Sequence, residues 1–494
     1  MSERKRKISL KTKLGFSSGQ LDEAMIAAAA VTTMIFYNQV LGLSATLCGT
    51  AFLIASLIDG FTDPLVGAFS DSVNTRWGRR HPFMLAAAFP MGIFFYLLYQ
   101  PPDGLEEFQL FLWFTVMLVC LRLGKTFYAV PHNALGAELT DDYDERTSIF
   151  GWNFVVYSIG NALLGAAILY FIFPSTQGIE NGLLREDRYE ILATVGGLFI
   201  TTMILVCTFA TADQIPYLHD TKKVGERNNL RFTRFFRETF SNYWVLLKNP
   251  SYIAVCASWI VLAICSGVLA VVSTYTFIYA FEFTTEEIAI RGFIALPGAF
   301  LGIILSRWLV NIFDKKYTVI LTIFVTAVLI GLPFSLRLLG WFPENGTMWT
   351  LIAFFAIWTP AMILLPVVPI VIDSQLVDIA DEHELQTGNR SEGAIFSIRT
   401  FAIKMTSGMG GLVGGFALEF IGFPKNASVE TLDPTVIDGL LWMMGPLYIG
   451  VVWLGCCFAF LYRIDRKRHK EIIEELEQRR ADHDRMQHAK LKAT

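Results

Sequence analysis

The chain has 494 residues, 53% of them hydrophobic and only 17% charged, with 41 Phe and a mean hydropathy of +0.47. A soluble domain carries about a quarter charged residues, so this composition excludes a soluble globular protein; apolar blocks of roughly twenty residues, enough to cross about 30 Å of hydrocarbon, make the bilayer the solvent. The net charge of −4 excludes little because the charges are sorted by position, and no nucleic-acid partner is expected.

In chain order, the basic opening MSERKRKISLKTK has the charge of a signal peptide, but Asp22 and Glu23 interrupt the apolar segment after it and no small-residue cleavage site closes it. Residues 1–17 are therefore expected to remain as a cytoplasmic tail. Apolar segments follow at about 18–42, 46–72, 82–100, 107–131, 148–173, 189–211, 251–280, 286–311, 317–339, 348–373, 394–421 and 437–462, which predicts twelve transmembrane helices. With the N-terminus inside, the Arg76, Arg79 and Arg80 cluster, the loop from Asp213 and the tail from Arg463 fall inside, and Asp103, Glu106 and Glu107 fall outside. This satisfies the positive-inside rule and puts both termini in the cytoplasm.

The longest polar interruption, 213–250, divides the chain into a first six-helix bundle (18–212), a cytoplasmic linker (213–250) and a second six-helix bundle (251–462), followed by a charged tail (463–494). A weak echo supports duplication: the stretch from Pro131 to Arg146 after the fourth segment, and the stretch from Ile372 to Glu384 before Arg390 after the tenth. The expected fold class is an all-α membrane protein of two pseudo-symmetric six-helix bundles around a midplane cavity, the architecture of secondary transporters. Each such unit encloses its own pathway, so a monomer is expected. The tail, with Glu471, Glu474, Glu475 and Glu477 among Lys and Arg, reads as a solvated amphipathic helix. The seven cysteines all lie in apolar blocks at spacings that suit neither a metal site nor a disulfide framework, and read as small hydrophobes.

An ionisable side chain at the bilayer centre costs roughly 2.5 to 3.5 kcal/mol and persists only with a partner or a water-filled cavity. Asp59 and Asp63 stand four apart on one face of the second helix. Two carboxylates that close repel when both are ionised, and a cation or one proton between them relieves the strain, so the pair is a coupling site on physical grounds. Lys404 lies about eleven residues into the eleventh segment, near the midplane. It is expected to compensate the aspartates when no cation is bound and to be released when one arrives, biasing two global states. Arg122 and Lys125, three apart on the fourth helix, and Arg399 on the eleventh have two readings. They bind an acidic solute such as a uronate through charge-assisted hydrogen bonds, or they pair with Asp22, Glu23, Asp59 and Asp63. Tyr37, Trp152, Tyr157 and Trp358 stack on a sugar ring or simply pack in the membrane.

Three motifs carry a family resemblance. The run Asp59-Gly-Phe-Thr62-Asp63-Pro-Leu-Val-Gly67, continuing through Arg76-Trp-Gly-Arg79-Arg80-His-Pro-Phe, is the first; Pro131-His-Asn-Ala-Leu-Gly-Ala-Glu138 through Arg146 is the second; Thr387-Gly-Asn-Arg390-Ser-Glu392-Gly is the third. Together they resemble the signatures of the glycoside-pentoside-hexuronide:cation symporters, a branch of the major facilitator superfamily. The resemblance implies cation-coupled symport of a sugar, glycoside or hexuronide in a bacterial inner membrane. It implies that Asp59 and Asp63 bind the cation with Thr126 and the neighbouring Thr62, that Lys404 is the functional lysine of the eleventh helix, and that Arg76, Arg79, Arg80, Asp142, Glu145, Arg146 and Arg390 belong to the cytoplasmic gates. It also departs from the pattern: Ala24 and Ala129 stand where family members have sugar-contacting carboxylates, and Trp152, Asn153 and Phe154 stand near a missing arginine. Candidate solute contacts are therefore Asp22, Glu23, Arg122, Lys125, Trp152, Asn153, Trp358, Arg399 and Lys404. Because Lys125 adjoins Thr126, a proton is favoured over sodium in one reading.

The same family likeness extends to carriers of lysolipids or other anionic amphiphiles, the alternative cargo. An intramembrane enzyme is not expected, since the seven His are scattered and only His132 lies close to a span end. No cofactor is expected beyond the coupling ion, H+ or Na+, and no metal beyond Na+.

Overall fold

Side-chain caps set the helix starts. Ser44 Oγ accepts the Leu47 amide at 3.3 Å to open α3 (Ala45–Ser72). Thr284 Oγ1 accepts the Glu287 amide at 3.2 Å while Glu287 returns a bond to the Thr284 amide at 2.9 Å, opening α9 (Thr285–Leu338). These reciprocal bonds satisfy amides that a helix start leaves without partners. The computed structural model describes residues 7–73, 75–140, 142–176, 181–218, 249–387 and 392–493.

The first half contains a short α1 (Leu10–Ser17), then α2 (Gln20–Ile35), α3, α4 (His81–Leu98), α5 (Glu107–Glu138), α6 (Tyr143–Ala167) and α7 (Asp187–Ala210). The second contains α8 (Pro250–Tyr279), α9, α10 (Met348–Leu364), α11 (Val367–Thr387), α12 (Glu392–Phe420), α13 (Pro434–Trp442) and α14 (Tyr448–Ala459), followed by α15 (Arg466–Ala493). Nine helical segments among the described residues are long and apolar enough to cross a membrane. The other expected spans differ for local reasons. The first is a 16-residue helix that continues into a π-helical turn, Phe36–Val40. The eighth and ninth, which fall together in α9, are two helices that meet at Asp314, where φ is 64° and ψ is 162° and the backbone is not helical, so both expected spans are present. The eleventh carries Arg399, Lys404 and Glu419.

Helices pack mainly within their own half, and the halves meet where α3 faces α12 and α6 faces α9. Glycine permits the α3–α12 approach: a Cβ on Gly49 would lie 2.6 Å from the Gly411 carbonyl oxygen, and one on Gly415 would lie 2.1 Å from that of Ala45. Both positions need a residue with no side chain.

One end of the seam is sealed. Tyr275 donates to Asn38 Oδ1 at 2.8 Å and Tyr279 to Gln39 Oε1 at 3.0 Å. Thr46 donates to Glu419 at 2.7 Å, Asn426 to the Gln39 carbonyl at 2.9 Å, and the Ser175 amide to Glu286 at 2.9 Å. At the opposite end, Arg79 and Arg80 bind Glu138, and Lys315 binds Asp378, each within one half. The tail helix α15 is more than a solvated rod: Ile472 and Leu476 are buried in the core of the second half, and His469 sits 3.3 Å from Asp378.

Candidate functional site

Helical spacing brings Asp59 and Asp63 onto one face of α3, and α5 supplies Thr126 opposite them. Thr126 Oγ1 lies 2.9 Å from Asp59 Oδ1 and 3.0 Å from Asp63 Oδ1. A threonine hydroxyl has one proton to donate, so it serves one carboxylate at a time. The remaining carboxylate oxygens are left to basic partners. Asp59 and Thr126 are buried. The Thr62 hydroxyl instead donates to the Asp59 carbonyl of its own helix at 3.2 Å.

From the other half, Lys404 on α12 reaches across the seam. Its Nζ lies 3.2 Å from Asp59 Oδ2 and also bonds Asp63 Oδ2. Arg122 stands 3.7 Å from Asp59 Oδ2. Two carboxylates and two basic groups thus make a neutral cluster, and an added cation competes with Lys404 for the same oxygens.

The remaining basic candidates have acidic partners. Lys125 donates to Glu23 at 2.7 Å, and Arg399 donates to Asp373 at 2.9 Å with its guanidinium 5.6 Å from the Trp259 ring centroid. Two of the three pairings expected from sequence, those of Arg122 and Lys125, are therefore with the named acids; Asp373 is a partner that sequence reasoning did not single out. Asp22 is buried at the start of α2. Asn153 is buried, both its amide atoms lacking a partner among the described residues, and Trp152 beside it is half-buried.

A cavity of about 440 Å³ lies between the halves, its wall including Val31, Tyr157 and Asn161 from the first and Ser273, Arg291 and Trp358 from the second. Tyr157 and Trp358 are thus in its wall, whereas Tyr37 is packed away, stacked on Phe114 with its hydroxyl donating to the Leu98 carbonyl at 2.6 Å. The Asp59 cluster is not part of this wall; Glu23 lies one helical turn from Ala27, which is. Arg291 was missed in the sequence, where it stands near the boundary of an apolar segment.

Among the gate candidates, Arg80 also donates to Ser70 at 2.6 Å, Glu145 pairs with Lys13 at 2.7 Å, and Asp142 caps the Glu145 amide at 3.0 Å. Arg146 donates to the Thr140 carbonyl at 3.1 Å, Arg76 is exposed, and Arg390 lies outside the described residues. All the described contacts of this group stay inside the first half.

Residues 15–466 match the family described as "MFS/sugar transport protein". Among relatives, the chain is 27% identical over 490 residues to the "Putative glycoside/cation symporter YagG" of Escherichia coli (strain K12), covering 96% of each. It is 23% identical to the "Glucuronide carrier protein homolog" of the same organism, covering 96% of this chain and 97% of that one. Among solved structures, the xylose transporter XylE from E. coli, in an inward-open conformation, superposes with a TM-score of 0.58 at 16% identity, covering 94% of this chain and 98% of that one. That likeness speaks for the fold.

Proposed function

Because this chain belongs to the MFS/sugar transport protein family, an integral membrane family of transporters rather than enzymes, we propose that it is a cation-coupled symporter of a sugar, glycoside or hexuronide that works by alternating access. The observation that carries this reading is Lys404, donated by one half, occupying the carboxylates of Asp59 and Asp63 in the other. A cation that takes its place between Asp59, Asp63 and Thr126 frees Lys404 and removes an ion pair that ties the halves together. The ion therefore acts on the same equilibrium that exposes the central cavity, as coupling requires. The names of the relatives, a glycoside/cation symporter and a glucuronide carrier, support a sugar-type solute.

In this reading the sealed end faces outward and the structure is the inward-open state. The loops that seal it follow the first, third, fifth, seventh and eleventh spans, whereas the Arg76, Arg79 and Arg80 loop and both termini face the cytoplasm, in keeping with the positive-inside rule. The coupling ion is H+ or Na+. With Lys125 neutralised by Glu23 at 2.7 Å, its charge is no longer an argument against sodium. The protein acts as a monomer, since the cavity is enclosed by one chain.

Membrane vesicles tested with a panel of glycosides and uronates, under an imposed pH or Na+ gradient, decide the matter. Accumulation of at least one solute driven by one of the two gradients is the expected result. Solute entry that never exceeds equilibrium under either gradient contradicts it.

A further inference from the structure

The basic residues read from the sequence as possible anion binders are held by Asp59, Glu23 and Asp373. Arg291 is different. Among the described residues it has neither an ion pair nor a hydrogen bond; its neighbour is the Phe277 ring, with Cζ 6.0 Å from the centroid. It lines the cavity between the halves, and no acidic residue is in the wall. The next residue, Gly292, is where α9 presses on α6: a Cβ there would stand 3.1 Å from the Ala162 carbonyl oxygen. Arg291 is thus placed at the seam itself, beside the solute path.

Two further residues of the cavity wall carry donors. Ser273 and Trp358 are 1% and 2% exposed, and among the described residues the buried Ser273 Oγ and Trp358 Nε1 have no hydrogen-bond partner. An indole N–H and a guanidinium can only donate. Buried donors left open in this way are satisfied by acceptors, and a guanidinium with no carboxylate beside it can donate two hydrogen bonds to an oxyanion in a bidentate geometry.

We propose that Arg291, with Ser273 and Trp358, forms an oxyanion subsite in the central cavity, so that the solute is a sugar carrying one negative group, a carboxylate or a sulfonate. The proposal rests on the reading of the chain as a sugar carrier and assigns the group that its cavity selects. Arg291 reads the charge, Ser273 and Trp358 read acceptor oxygens, and Tyr157 across the cavity adds a ring face.

Calorimetric binding to the purified full-length protein tests it, with three probes: methyl glucuronide, sulfoquinovose and the neutral methyl glucoside. The wild type is expected to bind one of the anionic probes at least about tenfold tighter than the glucoside, and which one distinguishes carboxylate from sulfonate. Arg291→Ala is expected to lose roughly ten- to a hundredfold for that probe, the range of a charged hydrogen bond, and much less for the glucoside, so that the anionic preference collapses; Arg291→Lys is expected to keep part of the preference. A wild type that binds no anionic probe or shows no anionic preference, or an Arg291→Ala protein that weakens all probes alike, overturns the proposal. Binding needs no gradient, so a failure of coupling in vesicles and a failure of this subsite are seen separately.

Discussion

Lys404 and Asp59 are ion-paired at 3.2 Å across the seam between the two halves of the chain. In this structure the lysine neutralises acids that the bilayer does not tolerate alone. In the proposed exchange a bound cation makes the lysine surplus and removes the ion pair between the halves, so that ion occupancy and lobe separation become one variable.

Removing the lysine should therefore remove the competitor. Lys404→Ala is expected to bind the coupling cation at least about tenfold more tightly, the low end of what one neighbouring opposite charge does to a carboxylate. The same variant should no longer accumulate solute. Cation titration of intrinsic tryptophan fluorescence in detergent, followed by uptake in vesicles, reads both effects; unchanged affinity together with full accumulation would count against the exchange.

The pair Glu23–Lys125 is expected to behave as a compensating unit. Glu23→Gln and Lys125→Gln should each lower uptake about tenfold, since each leaves a charge without its partner in the membrane. The double variant should recover to within about threefold of the wild type, a coupling inside the roughly 0.5 to 3 kcal/mol range of contacting residues. A double variant as poor as the worse single one would show that one of the two acts directly on solute.

The glycine contacts between α3 and α12 should control the sealed end. Because a Cβ on Gly415 meets the Ala45 carbonyl oxygen at 2.1 Å, Gly415→Val is expected to hold this end apart and favour the opposite state. Labelling of a cysteine introduced at Asn38, buried at the seal beside Tyr275, should rise at least about fivefold, a shift of only about 1 kcal/mol. Equal labelling in the two backgrounds would mean that the seal does not depend on the seam.

The docked tail makes a stability prediction. Ile472 is fully buried against the second half, and Ile472→Ala is expected to cost about 2 kcal/mol, the low end for a large-to-small core change. Thermal unfolding in detergent should shift downward while uptake at low temperature is retained. No shift would return the tail to the solvated helix expected from its charge pattern.

Legibility followed contrast. Asp59, Asp63 and Lys404 stood out because they are charges inside apolar segments, and the spacing of the aspartates fixed their shared face. Thr126 could be assigned only through the family resemblance, because a threonine in a helix carries no signal of its own. The division into halves was readable from one long polar interruption, and the break between the eighth and ninth spans from the charged Asp314, Lys315 and Lys316 that separate two apolar runs. Partner choice was the least legible. Arg399 finding Asp373, and Arg291 finding no ion pair among the described residues, depend on which helices cross, and neither spacing nor composition encodes that crossing. That Ser273 and Trp358 share a cavity wall with Arg291 became visible only in the packed helices.

The most direct measurement is concentrative uptake in vesicles by Asp59→Asn/Asp63→Asn, beside solute exchange at equal concentrations on both sides. Gradient-driven accumulation is expected to disappear while exchange continues, because in the proposed mechanism the carboxylates serve the ion and the cavity serves the solute. Accumulation at the wild-type level would contradict the exchange of cation and lysine at its root.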